Sequence, residues 1–168
     1  MDSLTDVNSR IQALENLVLH PDQRQLFERT AYIKTRYFPE LSGLWVYLGI
    51  MGKLEKKQNV FASVDVENCV LRFNVEKYIT NVTIFHELMH IVNWRNEASP
   101  RTEEFNSISA IARMPPNMVD EDNIPYIAST TRIKCAELPG ICSKALTERV
   151  KGNRKYIKWL QEELRRYK

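Results

Sequence analysis

An α-rich α+β fold is predicted from three features of the chain: an apolar stripe at helical spacing near the N-terminus, two β-branched runs joined by a short polar turn, and a central segment apolar on nearly every side. The stripe is Leu4, Val7, Ile11, Leu14 and Val18, whose alternating separations of three and four predict an amphipathic helix ending before His20-Pro21. It is too short for sustained heptads, so it is read as docked on its own domain rather than paired with another chain. His20, before a proline at a helix end, is read as a surface or capping residue. A second helix is expected from about Asp22 to Tyr37, because the residue before Pro39 is pushed away from helical backbone, and Leu41-Ser42-Gly43 opens a turn.

Val60-Phe61-Ala62-Ser63-Val64 and Cys69-Val70-Leu71-Arg72-Phe73 predict an antiparallel hairpin turning through Asp65 to Asn68, and so a small antiparallel sheet. Next come Ile79, Val82, Ile84, Phe85, Leu88, Met89, Ile91, Val92 and Trp94, the pattern of a fully buried helix. A further helix is expected after Pro100, with Glu103 and Glu104 in its first turn and Met114-Pro115-Pro116 at its end. The chain is read as one domain: a helical part over residues 1–58, the sheet, buried helix and acidic helix over 59–116, and C-terminal helices over 117–168.

Composition is that of a water-soluble domain, 43% hydrophobic and 27% charged. No stretch reaches transmembrane length, and MDSLTDVNSR lacks the basic start and apolar run of a signal peptide, so a cytoplasmic protein without membrane contact is expected. Cys69, Cys135 and Cys142 form no C-x-x-C pair and are odd in number, which argues for reduced core thiols.

The chemistry lies in His86-Glu87-Leu88-Met89-His90. On a helix this spacing stacks His86 and His90 about one turn apart on one face, where both reach a single metal ion, with Glu87 aimed at a water on that ion. H-E-x-x-H arises by chance in fewer than about one chain in a hundred of this size. A purely structural pair is the competing reading, but two imidazoles and a carboxylate inside an apolar helix are costly without strong partners, and a metal supplies them. This is the zincin signature. A third ligand must come from Glu97, Glu103, Glu104, Asp120, Glu121 or Asp122, the nearby downstream carboxylates.

H-E-x-x-H followed by Phe105-Asn106-Ser107-Ile108-Ser109-Ala110-Ile111-Ala112-Arg113-Met114-Pro115 resembles the ImmA/IrrE family of gluzincin-like metallopeptidases, with Asn106, Ile108, Met114 and Pro115 as the clearest matches. The likeness runs from about Val60 to Val150 and implies a zincin-like domain with a zinc-dependent peptidase activity. That family takes its third ligand four residues before the asparagine, and here Thr102 stands at that position. Glu103 shares a face with Asn106, and a helix starting one residue late would swing it inward, so His86, His90 and Glu103 form the expected ligand set, with Glu104 as the alternative. Asn106 is read as orienting a ligand or as packing on the metal helix.

Two neutral histidines and one carboxylate leave Zn²⁺ enough charge to acidify a bound water, and Glu87 is the base expected to take its proton. Such sites also accept Mn²⁺ or Fe²⁺. The family likeness implies an endopeptidase acting on a regulatory protein, such as a helix-turn-helix transcriptional repressor. The alternative is a catalytically inactive zincin-fold regulatory or protein-binding module that lost its ligand at Thr102. Residues 149–168 carry eight lysines and arginines against two glutamates in a chain of net charge +3, and Tyr156, Ile157, Trp159, Leu160 and Leu164 stripe them at helical spacing. This predicts a docked helix with a solvated basic face, and contact with DNA near a bound repressor as the second reading.

Overall fold

The computed structural model describes residues 5–6, 11–13, 21–52, 60–127 and 134–167, the first two segments as backbone only. It is a mixed α+β structure whose strands are β1 (Thr5–Asp6), β2 (Ile11–Ala13), β3 (Val46–Ile50), β4 (Ala62–Asp65) and β5 (Val70–Phe73). They form one sheet in the order β1-β2-β3-β5-β4. The β4–β5 pair is the expected hairpin, antiparallel with Ser63 opposite Arg72. The sheet as a whole is mixed rather than antiparallel, because β3 lies between β2 and β5 and runs parallel to both.

That strand corrects the reading of the first 58 residues as helical. Ile11, Gln12 and Ala13 pair with Val46, Tyr47 and Leu48, so main-chain bonds to a distant strand override the three-and-four spacing of the local apolar residues. Leu4, Val7, Leu14, Val18 and His20 lie outside the described residues. Val46 and Leu48 on β3 are fully buried, as expected of a strand with neighbours on both sides.

The helices are α1 (Pro21–Tyr37), α2 (Asn81–Arg95), α3 (Glu103–Arg113), α4 (Leu138–Val150) and α5 (Tyr156–Leu164). Helix α1 buries Leu26, Phe27, Ala31 and Ile33 and stops where Phe38 precedes Pro39. Helix α2 packs on β4, α1 and α3, while α3 packs in turn on α4, and α4 on α5. Arg113, in the last turn of α3, donates from Nη1 and Nη2 to the Glu40 carboxylate at 2.8 and 2.6 Å and also bonds the Tyr37 carbonyl. This fork ties α3 to the end of α1.

In α5, Tyr156, Leu160 and Leu164 are buried, with Ile157 and Trp159 packed against the core. Its outer face is laced by Lys158–Glu162 and Arg166–Glu163 ion pairs. All three cysteines are free thiols, and burial pushes Cys142 up to about 12 and raises Cys69 as well. Among the described residues, no helix is long and apolar enough to cross a membrane.

Candidate metal centre

The centre rests on the start of α2. Thr80 is its N-cap and accepts from the Thr83 amide at 3.1 Å. Two further amides of the first turn, Asn81 at 2.7 Å and Val82 at 3.2 Å, donate to the carboxylate of Asp120. Glu121 accepts from the Thr80 hydroxyl, and burial raises its carboxyl above the usual range. Asp120 and Glu121 therefore anchor the helix start and stand apart from the histidines. One and a half turns on, His86 and Glu87 are buried amid Ile84, Phe85 and Leu88, all 0% exposed.

Helix α3 starts directly after Thr102. Thr102 is its N-cap, with extended backbone and its hydroxyl accepting from the Phe105 amide at 3.3 Å, so the first helical side chain is Glu103. Glu103 Oε2 lies 3.0 Å from His86 Nε2 and 3.1 Å from His90 Nε2, and the two imidazole nitrogens are 3.0 Å apart. Among the described residues, these three form the cluster with metal-ligating geometry. Glu104 is half-buried and is not part of it.

The donor set fits a small divalent cation. Tetrahedral bonds of about 2.0–2.1 Å put ligand atoms about 3.3–3.4 Å apart, so this nearly equilateral triangle needs to open by only a few tenths of an ångström. Without an ion, the 3.0 Å separation of the two Nε2 atoms is that of an N–H···N hydrogen bond, one ring donating and the other accepting. Burial, then the neighbouring His90, lowers His86 to about 4, and burial lowers His90, so both rings are neutral at pH 7 as ligands must be. Glu103 is 48% exposed at its side chain, which leaves the centre open to solvent on that side.

Each histidine is held by its outer nitrogen. Ser107 Oγ lies 3.0 Å from His86 Nδ1, and the Asn106 amide nitrogen Nδ2, a donor, lies 2.8 Å from His90 Nδ1. Asn106 is itself fixed by Asn93 Nδ2 at 2.6 Å. Glu103, Asn106 and Ser107 are three and four residues apart, so one face of α3 supplies the carboxylate and both orienting groups. Asn106 is 1% exposed, so it both packs on α2 and contacts His90.

Glu87 is 8% exposed, and burial, reinforced by the charge of Glu103, pushes its carboxyl up to about 8. Tyr126 lies over the other side of His86, with ring centroids 5.5 Å apart and planes within 23°. Partial burial, then the charges of Glu103 and Glu87, raise its phenol, which stays protonated.

Sequence reasoning missed Ser107, Asn93 and Tyr126. The spacing from Glu103 would have found Ser107, while Asn93 carries no mark beyond its place one turn after His90. No family model, curated protein or solved structure matches this chain.

Proposed function

We propose that this protein is a zinc-dependent endopeptidase, a zincin-like domain of the kind its likeness to the ImmA/IrrE family implies. The observation that carries this reading is the triangle of His86, His90 and Glu103 beside the buried carboxyl of Glu87. A bound divalent cation supplies Lewis acidity to water and to the scissile carbonyl. Zinc suits two imidazoles and a carboxylate best, and manganese or iron also fit that set.

The chain's own residues do the rest. Glu87, buried next to His86 in the chain, is the carboxyl placed to take the proton of the attacking water and pass it to the departing amine, a task it performs in its ionised form. Ser107 and Asn106 keep the two rings turned so that Nε2 faces the centre. Among the described residues strand β4 is at the edge of the sheet and packed on α2, with one side of its main chain left for pairing with an extended segment, which favours a polypeptide substrate. The choice of a helix-turn-helix repressor rests on the family likeness alone. The carboxylate of Glu103 fills the role that Thr102 cannot, and so favours a hydrolase over an inactive binding module.

The test is Glu87→Gln. The variant keeps one zinc per chain by elemental analysis and its wild-type melting curve, and loses cleavage of unfolded casein and of candidate repressors, because an amide does not take the proton. Cleavage at near wild-type rate by the variant overturns the assignment. A wild-type protein that binds zinc and cleaves nothing points to the binding module.

A further inference from the structure

Tyr126 adopts φ = 62°, in the left-handed region that a side chain with a Cβ enters only at a cost in free energy. The cause is a tight turn: the Ile127 amide donates to the Ile124 carbonyl at 3.0 Å, with Pro125 and Tyr126 as the two central residues. Proline followed by a positive φ is the type II pattern, in which the second central position is ordinarily glycine or asparagine. The turn is pinned from both ends, since Ile124 is 2% and Ile127 6% exposed.

The side chain returns little of that cost to the core, being 65% exposed. What it does touch is His86, through the stacked ring at 5.5 Å. One face of the phenol ring thus covers a histidine of the metal centre, and most of the residue is left accessible to solvent. A large aromatic held in strained backbone next to reactive groups is the arrangement expected when strain is retained for function.

Resting on the peptidase reading, we propose that Tyr126 is a specificity-determining residue, whose free ring face receives an aromatic side chain of the substrate adjacent to the scissile bond. Aromatic rings stack favourably in offset geometry, and a ring already fixed by its turn and by His86 loses little freedom on binding. Substrates with an aromatic residue at that place are thereby preferred over those with glycine.

The test uses the zinc-loaded full chain and two probes that share one metal-binding group, glycine hydroxamate and L-phenylalanine hydroxamate, with calorimetry as readout. Wild type binds the phenylalanine probe about five-fold tighter. Tyr126→Phe keeps that preference, while Tyr126→Ala and Tyr126→Gly reduce the ratio of the two affinities to less than about two-fold. Persistence of the preference in Tyr126→Ala overturns this inference and leaves the peptidase reading standing. Failure of wild type to bind either probe overturns the open metal position, and this inference with it. Strain at residue 126 has its own readout: Tyr126→Gly melts above Tyr126→Ala, since both lack the ring and only glycine relieves the positive φ. The reverse order removes the strain from the argument.

Discussion

Ser107 Oγ and His86 Nδ1 lie 3.0 Å apart, a contact that closes 21 residues of chain and sets the orientation of the more deeply buried histidine. Its counterpart is Asn106 on His90. Ser107→Ala and Asn106→Ala should each weaken zinc binding by about 10- to 100-fold with the fold retained, measured by competition against a chromophoric chelator. Unchanged affinity in both would mean that packing alone orients the rings.

Glu103→Ala removes a ligand rather than a support, and its loss of affinity should exceed the roughly 100-fold upper end of orienting groups. Glu104→Ala should change zinc affinity little, since that side chain stands outside the cluster. Introducing Thr102→Glu into Glu103→Ala should not restore binding, because residue 102 has φ −106° and ψ 150° and lies before the first helical turn. Rescue by that glutamate would show that the helix can begin one residue earlier.

Asp120→Ala strips the acceptor from two amides at the start of α2. The expected loss is about 1–2 kcal/mol, or a melting temperature lower by about 3–6 °C for a chain of this size. Zinc content of the folded variant should remain one per chain. Loss of zinc at unchanged stability would instead place Asp120 at the metal.

Acid should weaken the Glu40–Arg113 fork. Hydrogen bonding to the Arg113 guanidinium, the largest cause, holds the Glu40 carboxyl below its ordinary value. A carboxyl lowered in the folded state stabilises above its unfolded value, and that contribution is lost as pH falls through the folded one. Denaturant melts of wild type and Glu40→Gln should therefore differ at pH 7 and converge toward pH 3. A constant difference across that range would exclude the charge as the cause.

Much of the centre was legible because its residues obey helical spacing. His86 and His90 follow from period alone, whereas Glu103 is read as the third ligand only through the family likeness, with Glu104 as the alternative. The structure makes Thr102, a residue type that caps helices readily, the N-cap, so Glu103 is the first helical residue. Less legible was what depends on distant pairing. Ile11 falls on a helical stripe yet lies in a strand, because its partner Val46 is 35 residues away and leaves no trace in the local pattern. Strand β3 itself, Val46-Tyr47-Leu48-Gly49-Ile50, is a short apolar run that reads as a buried strand once its flanking glycines, Gly43 and Gly52, are noticed. Asp120 offered a carboxylate to any reading of metal ligands, and only the fold shows that a helix start claims it.

The parallel seating of β2 against β3 has a consequence for solubility. Those few N-terminal residues occupy the hydrogen-bonding side of β3 that β5 does not. A chain trimmed to begin at α1 would bare a flat apolar ribbon, Val46–Ile50, with a row of unclaimed amides and carbonyls, the template on which strands of separate molecules zip together. Ile11–Ala13 thus act as a sheath on that edge, and a chain lacking them is expected to self-associate through its own sheet.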